Sequence, residues 1–418
     1  MRAVVAGAGV VGVTAAWYLA AAGHEVIVVD RQNGPALETS FANGGQVSVC
    51  HAEPWANPRA PAMVLRWIGR EDSPLLWRMR ADPAQWGWGL RFLLECLPGR
   101  TRANIEALVA LGLYSRKSLK HLRQSLSLEY DQQMRGILHV YTRAAEFDRA
   151  ALRAAEMTAL GCDRRVVDAA ECIAVEPALA RSQIALAGGT YTPDDESGDA
   201  HAFTEMLAHR CRERGVAFRF GARVSGLAGT SSRIDALQLA DGTQVSGDLF
   251  VLALGSQTPL LLRGAGLRVR MPIYPAKGYS LTYALKGIGT APVVSLTDDE
   301  HKLVVSRLGD RLRVAGTAEF CGYDDSINPG RIAAMKRRIG DLLPDCTQAV
   351  PAETWAGLRP ATPGNVPMIG ASGCPNLFLD CGHGTLGWTL ACGSARLLAD
   401  LIDGRAPDLD PRPYRVTG

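Results

Sequence analysis

The sequence predicts an α/β protein in which a Rossmann-type dinucleotide-binding domain is interleaved with a smaller α+β domain built on a mostly antiparallel sheet. Three observations lead to this fold class. The first thirty residues show strand, glycine turn, helix and strand in order, which is the opening unit of a doubly wound parallel sheet. Several alternating strands follow one another between Arg268 and Ala318. The length of 418 residues also exceeds that of one ordinary core.

The opening unit has the residues that a phosphate-binding turn needs. A short apolar strand runs into a G-x-G-x-x-G turn at residues 7–12, and a helix of small residues follows. Gly7 permits the tight turn, Gly9 lets the backbone approach a pyrophosphate, and Gly12 lets helix and strand pack closely. The second strand ends on Asp30, which is placed to bind ribose hydroxyls and would repel a 2′-phosphate. An ordinary βαβ unit without a ligand is the alternative.

Composition and charge argue against several classes of protein. A net charge of +3, with no basic run interleaved with aromatic residues, gives no reason to expect nucleic-acid binding. No apolar run approaches the roughly 20 residues that a membrane span requires. The ten cysteines lack zinc-ligand spacing, so we expect free, mostly buried thiols and no metal. Because the first strand begins at residue 2, we expect no export signal and a cytoplasmic protein.

Two segments after the opening unit indicate ligand or surface chemistry. Residues 38–46 are rich in hydroxyl, amide and glycine residues, which suit close approach to a large polar ligand. Residues 55–100 hold five of the eight tryptophans, mixed with proline, leucine and arginine. One interpretation is a set of short helices packed on the second domain. The other is an interfacial patch, in which Trp and Leu enter lipid headgroups while Arg contacts anionic lipid.

The rest of the chain indicates how the two domains are divided. Asp199 is expected to cap a helix that ends at Gly215, and Asn328 to open a basic helix that runs to Leu342. The dinucleotide-binding domain is expected to comprise 1–55, 150–270 and 345–418, and the substrate-binding domain 56–149 and 271–344.

The last part of the chain repeats the order of the opening unit. A strand at residues 376–380 runs into a glycine turn at 381–388, and a helix follows from Thr389 to Ile402. A second helix N-terminus aimed at the ligand would stabilise negative charge that develops there. A purely structural turn is the alternative.

With these segments assembled, the sequence closely resembles the small, FAD-containing chain of bacterial D-amino acid dehydrogenases, in the superfamily of D-amino acid oxidase and glycine/sarcosine oxidase. The resemblance covers nearly the whole chain and is weakest at residues 55–133 and after Arg405. Besides the opening unit, its blocks are ALETSFANGGQ (36–46), YPAKGYSLT (274–282), WAGLRPATP (355–363) and GHGTLGWTLACGS (382–394). The combination of KGYS with GHGTLGWT narrows the superfamily to this family.

The resemblance implies FAD as the cofactor. The opening glycines and Asp30 would bind its ADP half, residues 39–46 would follow the pyrophosphate and flavin, and residues 382–388 would lie at the pyrimidine edge of the ring. The implied cofactor-binding residues are Gly7, Gly9, Val10, Val11, Gly12, Asp30, Arg31, Thr39, Ser40, Asn43, Gly44, Gly45, Gln46, Val224, Ala253, Leu254, Gly255, Gly357, Gly382, His383, Gly384, Thr385, Leu386, Gly387 and Trp388.

Three residues are candidates for substrate contact. Arg359 matches the arginine that pairs with the substrate carboxylate, through a bidentate fork that lysine lacks. A structural arginine paired with an acidic group is the alternative. Tyr279 is a candidate partner of Arg359, or else a strand residue with its ring in the core. His51 stands near the position where such proteins often have a tyrosine, and lies either near the substrate or in a turn. An acid–base role for His383 is the less favoured interpretation.

The activity implied by the resemblance is oxidative deamination of a D-amino acid to a 2-oxo acid and ammonia. Hydride would pass from Cα to flavin N5, and the electrons to a quinone or another non-oxygen acceptor. Residues 55–100 would then contact the cytoplasmic face of the inner membrane peripherally. Three alternatives stay open: an oxygen-using oxidase of glycine, sarcosine or a hydroxyproline-type amine, an FAD-holding non-catalytic subunit of a larger dehydrogenase, and NAD-dependent hydride transfer. The oligomeric state is left open.

Overall fold

The structure, a computed structural model, describes residues 1–67, 71, 73–267, 269–285, 291–348 and 350–416. The helices in these residues are α1 (Val10–Ala21), α2 (Ala60–Trp67), α3 (Pro83–Glu95), α4 (Pro98–Leu126), α5 (Ala144–Ala159), α6 (Ala169–Val175), α7 (Ala200–Glu213), α8 (Thr258–Gly264), α9 (Pro329–Leu342) and α10 (Gly387–Ile402).

The strands form two main sheets and two small ones. They are β1 (Arg2–Ala6), β2 (Glu25–Val29), β3 (Gln46–Val47), β4 (Leu75–Trp77), β5 (Ile137–Tyr141), β6 (Arg165–Val167), β7 (Gly188–Thr192), β8 (Glu196–Ser197), β9 (Ala217–Arg219), β10 (Val224–Thr230), β11 (Arg233–Leu239), β12 (Gln244–Ser246), β13 (Leu249–Leu252), β14 (Tyr274–Ala284), β15 (Ser295–Asp298), β16 (Leu303–Leu308), β17 (Arg311–Phe320), β18 (Glu353–Ala361), β19 (Met368–Ala371) and β20 (Leu377–Cys381).

The first main sheet is the parallel sheet that the opening unit predicts. Its strand order is β19-β20-β13-β1-β2-β9, and every pairing is parallel except that of β19 with β20. Ala3 and Val5 of β1 face the layer of α1, α7 and α10, whereas Val4 and Ala6 face the small sheet β10-β11-β12. Burial on both faces explains why this strand is an unbroken apolar run.

The second main sheet has the order β18-β14-β17-β16-β15-β5-β7-β6, with β4 paired to β17. Only the pairs β15–β5 and β17–β4 are parallel, so the predicted mostly antiparallel sheet is confirmed. One face packs on α9, where Ile332 and Met335 join Leu281 in a shared core. The other face meets residues 39–46, where the Ser306 hydroxyl donates to the Gly44 carbonyl (2.6 Å).

Several elements join a layer that their position in the chain does not reveal. Strands β6 and β7 lie within residues 150–270 but pair in the second main sheet. Helix α4 lies within residues 56–149, yet its Leu108, Leu111 and Leu119 are buried in the core around α1 and α10. An amphipathic helix buries its apolar stripe wherever a complementary surface lies, and periodicity does not identify that surface.

Most tryptophans of residues 55–100 are structural. Trp77 and Trp88 pack with Phe92 and Phe320 in a buried aromatic cluster beside β14. The outer face of α3 is different, because its apolar side chains remain exposed. Residues 68–70 and 72 of this stretch lie outside the described part of the chain.

Local signals in the sequence were reliable guides to helix ends. The Asp199 carboxylate accepts hydrogen bonds from the His201 and Ala202 amides at the start of α7, and the Asn328 side chain accepts one from the Gly330 amide at the start of α9. All ten cysteines are free and buried. Among the helices of the described residues, none is both long and apolar enough to cross a membrane.

Candidate active site

The glycine turn between β1 and α1 has the geometry of a phosphate-binding turn. Gly7 has φ +107°, and a Cβ there would overlap the backbone of Ala253. A Cβ on Gly12 would overlap the carbonyl of Gly7, so only glycine allows this close packing. The amides of Val11 and Gly12 precede the first helical hydrogen bond, from Val13 N–H to Gly9 O (3.0 Å). They are therefore among the amides that a helix N-terminus presents to an anion.

Asp30 stands at the end of β2 and braces the same turn. One carboxylate oxygen accepts the Ala8 amide (2.6 Å) and the other accepts the Gln32 amide (2.8 Å). Burial raises the pKa of Asp30 above its usual value. The neighbouring Arg31 side chain pairs with Glu38, and this pairing raises the pKa of Arg31. The Arg31–Glu38 pair fixes the chain directly before residues 39–46.

Residues 39–46 connect the two main sheets. The Ser40 hydroxyl accepts the Val10 amide (3.1 Å), and the Thr39 hydroxyl donates to the Leu358 carbonyl on β18 (3.0 Å). The Asn43 side chain accepts the Gly45 amide (2.9 Å). The Gln46 side-chain amide donates to the Ser295 (2.9 Å) and Thr297 (3.0 Å) hydroxyls on β15.

Close backbone approach explains the glycine at position 44. A Cβ on Gly44 would overlap Val304 of β16, so this stretch lies directly against the second main sheet. A ligand held by the α1 turn would therefore reach the face of that sheet.

Two further segments lie beside the turn. The chain after β13 passes Ala253 and Leu254 and turns at Gly255, which has φ +55° and lies near Pro360. Val224 begins β10 and packs, partly buried, against the core on that side of the first main sheet.

The glycine turn after β20 leads into α10. Gly382 and Gly384 have φ of +85° and +55°, and no side chain caps the helix start at Gly387. Thr385 and Leu386 lie in the short 3-10 turn before it. The predicted second uncapped helix N-terminus is present.

Two side chains of this turn point into the protein. The His383 ring contacts the Ser394 hydroxyl (3.0 Å) and the buried carboxylate of Asp380 (3.4 Å). The Trp388 indole donates to the Gly198 carbonyl (3.2 Å) and packs on Phe203. A ligand at this turn would therefore be bound mainly through backbone groups.

Arg359 lies on β18 on the face that looks toward residues 39–46. Its guanidinium donates to the carbonyls of Thr317 (2.6 Å) and Gly316 (3.5 Å) and, within the described residues, forms no ion pair. Burial alone lowers its pKa to about 10, because no carboxylate offsets the loss of solvent. A partly buried cation without a protein counter-charge is suited to bind an anion.

A pair of opposed glycines makes room for this arginine. Gly278 of β14 faces Gly357 of β18 in the sheet register. A Cβ on Gly278 would overlap the Arg359 guanidinium, and one on Gly357 would overlap the Trp355 ring. Both side chains therefore lie flat across the neighbouring glycine.

If Arg359 binds the substrate, as the sequence predicts, Gly278→Ala is expected to weaken substrate binding while the protein keeps its cofactor. The added methyl group displaces the Arg359 guanidinium from its two carbonyls, and a charge-assisted hydrogen bond is worth about 1.5–3 kcal/mol. We expect KM to rise about tenfold or more in steady-state assays. Gly99→Ala, where a Cβ meets open space, is the control. An unchanged KM in Gly278→Ala would contradict a substrate-binding role for Arg359.

The structure does not bring Tyr279 together with Arg359. Successive residues of a strand point to opposite faces, and Gly278 shares the face of Arg359. Tyr279 therefore points to the α9 side, where its ring joins that core and its hydroxyl donates to Glu319. Glu319 also pairs with Arg78 and lies 3.8 Å from Lys277, and these partners lower its pKa. Tyr279 is therefore not a partner of Arg359 in this structure, because the two side chains lie on opposite faces of the sheet.

Tyr279→Phe tests the structural interpretation. Removing the hydroxyl leaves Glu319 short of one buried donor, so we expect the free energy of unfolding to fall by about 1–3 kcal/mol. The KM for substrate should stay within about twofold, because the ring faces away from Arg359. Urea unfolding followed by steady-state kinetics distinguishes the two roles. A large rise in KM at unchanged stability would instead favour substrate contact.

His51 lies far from Arg359 along the second main sheet. Its ring is next to that of His139 on β5, with centroids 5.8 Å apart. β5 is five strand spacings from β18, on the order of 24 Å along the sheet. Burial lowers the pKa of His51 to about 4. The structure therefore places Arg359 and His51 in separate surroundings.

Sequence reasoning missed the role of Thr317 and Gly278. Thr317 has φ +54° within β17, beside an irregular register with β14, and this distortion presents its carbonyl to Arg359. The glycine inside the KGYS strand is a signal of close approach that could have identified Gly278. Nothing in the local sequence indicates the backbone of Thr317.

Comparison with known proteins identifies the class. The family described as FAD dependent oxidoreductase (DAO) matches residues 2–401, and the chain belongs to this family. It is 55% identical over 412 residues to a D-amino acid dehydrogenase of Dechloromonas aromatica (strain RCB), covering 98% of each chain. It is 54% identical over 406 residues to a D-amino acid dehydrogenase of Paramagnetospirillum magneticum (strain ATCC 700264 / AMB-1), covering 97% of this chain and 96% of that one.

Solved structures confirm the fold. Glycine oxidase from Geobacillus kaustophilus superposes with a TM-score of 0.79 at 20% identity, over 100% of this chain and 98% of that one. L-proline dehydrogenase from P. horikoshii superposes with a TM-score of 0.75 at 18% identity, over 99% of this chain and 96% of that one. The predicted fold class, the family and FAD dependence are thus confirmed.

The residues present fit FAD. The α1 turn offers amides for a pyrophosphate, and Asp30 stands where the acid that binds ribose hydroxyls stands in this motif. Residues 39–46 lead from the turn to the second main sheet. The start of α10 offers a second set of uncapped amides. When bound, FAD supplies the two-electron acceptor of the reaction.

Proposed function

We propose that this protein is a dehydrogenase that oxidises D-amino acids to 2-oxo acids and ammonia and passes the electrons to a quinone or another non-oxygen acceptor. The observation that carries the proposal is Arg359, a partly buried cation held by two carbonyls and lacking a counter-charge among the described residues. The names of the relatives at 54–55% identity supply the D-amino acid as substrate.

The chain's own residues would act mainly by positioning. Arg359 would hold the substrate carboxylate through its two-pronged guanidinium, while the carbonyls of Thr317 and Gly316 keep that group in place. Holding the carboxylate also holds Cα in place, and positioning of this kind can supply a large part of the reduction in the activation barrier. The substrate would lose a hydride from Cα and a proton from its amino nitrogen, and water would hydrolyse the resulting imino acid to the 2-oxo acid and ammonia.

The proposal includes a division of labour along the chain. Residues 1–55, 150–270 and 345–418 would bind FAD, and residues 56–149 and 271–344 would form the substrate side. The α1 turn, Asp30 and the start of α10 support the first part. Gly278 and Thr317, which shape the surroundings of Arg359, support the second. Arg359 belongs to residues 345–418 but lies on β18, which pairs with β14 in the second main sheet, so the substrate would bind on the face of that sheet that looks toward residues 39–46.

An anaerobic spectrum tests the activity. The flavin absorbance of the purified protein should bleach with D-alanine and not with L-alanine, and an added quinone analogue should restore it. Reoxidation by air should be slow, with little hydrogen peroxide. Rapid peroxide release, or bleaching by glycine or sarcosine alone, would instead identify an oxidase. Failure of every amine to bleach the flavin would favour a subunit that only holds FAD.

The outer face of α3 supports a peripheral membrane contact. Trp86, Leu90, Leu93, Leu94 and Leu97 follow helical spacing and are 50–65% exposed. Arg91, on the same helix, lines a surface pocket with Arg263 and Arg270. An apolar stripe beside basic side chains matches an anionic lipid surface, and a lipid-soluble quinone would be reached from there.

A vesicle assay tests this contact. The holoenzyme should sediment with phosphatidylglycerol-containing vesicles. The double variant Leu90→Ser with Leu94→Ser should bind at least about tenfold more weakly, because each leucine buried in the membrane contributes about 1.5–3 kcal/mol. Leu152→Ser on α5, where leucine is 75% exposed, is the matched control. Equal binding by all three proteins would exclude the α3 face as the contact.

A further inference from the structure

A partly buried cluster outside the proposed substrate site contains three side chains with metal-ligand chemistry. His51 follows β3, His139 lies on β5, and Asp299 begins the turn after β15. One ligand atom from each lies within 4.8 Å of the other two. Ligand atoms that share one ion are at most about 4 Å apart, since each is about 2 Å from the ion, so small side-chain rotations would bring all three within reach of one ion.

His139 is the centre of the cluster and is incompletely bonded. Its side chain is 1% exposed, and its Nδ1 contacts Asp299 Oδ2 at 2.7 Å. Its Nε2 is buried without a hydrogen-bond partner. A buried polar atom left unpaired is costly, so the cluster has bonding capacity that the protein itself does not use.

His51 is likewise free to accept a ligand. Its backbone amide donates to the Ser48 hydroxyl (3.2 Å), but its ring has no hydrogen-bond partner among the described residues. No hydrogen bond within the described residues accounts for the proximity of the two imidazole rings, whose centroids are 5.8 Å apart. A shared metal ion would explain it.

Asp299 supplies the negative charge. Besides His139, its carboxylate accepts the Tyr141 hydroxyl (2.8 Å), and it lies 3.3 Å from Lys302 Nζ and 4.0 Å from Arg164 Nη2. These two cations oppose a further positive charge, although Arg164 also lies 3.6 Å from Glu53 and the Lys302 side chain is half exposed. Their presence favours ions that bind imidazole nitrogen strongly over Ca²⁺ or Mg²⁺.

We propose that His51, His139 and Asp299 bind one divalent transition-metal ion of the Zn²⁺ class. Two imidazoles and one carboxylate are a frequent ligand set for such ions, and the three residues come from segments 88 and 160 residues apart in the chain, so no spacing motif announces the site. This site is independent of the proposed amino acid oxidation and stands apart from Arg359.

The experiment uses the FAD-loaded protein after treatment with a chelator. Zn²⁺ bound per chain is measured by equilibrium dialysis and elemental analysis, and Co²⁺ is added in parallel as a visible-absorbance probe. We expect about one ion per wild-type chain and a Co²⁺ ligand-field band. His51→Ala and His139→Ala should each lack the Co²⁺ band and bind Zn²⁺ at least tenfold more weakly.

Two controls keep the result interpretable. His209→Ala removes a surface histidine of α7 that lies 3.3 Å from Glu213, and it should bind like wild type. His139→Gln preserves side-chain bulk, and its FAD content reports correct folding. If wild type binds no ion, or if His51→Ala and a folded His139→Gln retain full binding, the site is refuted. None of these measurements depends on enzyme activity.

Discussion

Arg359→Met is expected to reduce kcat/KM for the D-amino acid substrate by about 30- to 4,000-fold. Truncating one member of a buried charge pair costs about 2–5 kcal/mol, and each 1.4 kcal/mol is tenfold. In the bound state Arg359 would form that pair with the substrate carboxylate. Steady-state rates with an artificial dye acceptor, without oxygen, measure the loss.

Stability distinguishes this role from a structural one. In the free protein Arg359 is a partly buried cation without a counter-charge among the described residues, so replacing it with methionine is expected to leave the melting temperature unchanged or raise it. A structural arginine would show the opposite, a clear loss of stability.

Two further variants complete the test. Arg359→Lys keeps the charge but not the fork, so we expect it to recover only part of the activity. Arg337→Ala, at an exposed position of α9, should behave like wild type. If Arg359→Met keeps wild-type kcat/KM, the proposed substrate site is wrong.

Gly12→Ala has the second large expected effect, on cofactor retention. The added methyl group would overlap the Gly7 carbonyl, and backbone atoms on both sides of the turn cannot yield as a flexible side chain would. Separating them moves the amides of Val11 and Gly12 away from the position of a pyrophosphate. We expect the purified variant to lose most of its FAD and its yellow colour, with an overpacking cost of about 1–3 kcal/mol.

The measurement is the flavin-to-protein absorbance ratio after gel filtration, repeated with added FAD. Gly99→Ala, in α4 with open space at the Cβ position, should retain the wild-type ratio. Full FAD content in Gly12→Ala would show that the turn tolerates a side chain and does not bind the cofactor as we describe.

The parts of the site that the sequence predicted are those formed by neighbouring residues. The α1 turn, Asp30 at the end of β2 and the glycine turn before α10 each lie within a few residues of chain, so their backbone geometry follows from local glycine and strand patterns. The caps at Asp199 and Asn328 were predictable for the same reason.

The parts that the sequence did not predict depend on pairing between distant segments. The sequence offers Tyr279 as a candidate partner of Arg359, but strand alternation sends their side chains to opposite faces. The tryptophans of residues 55–100 supported both a core and a membrane surface. Packing buried Trp88 and left Trp86 half exposed, because residues two positions apart lie on roughly opposite faces of a helix.

The sequence alone determined the fold class, the dinucleotide-binding turn and the family, since these rest on short-range patterns that few other structures accommodate. Only the tertiary structure decided which face of the second sheet carries Arg359, which carbonyls hold it, and that His51 meets His139 and Asp299. The physical reason is that strand register, helix docking and the burial of charge are set by the whole chain folding at once, so no local stretch encodes them.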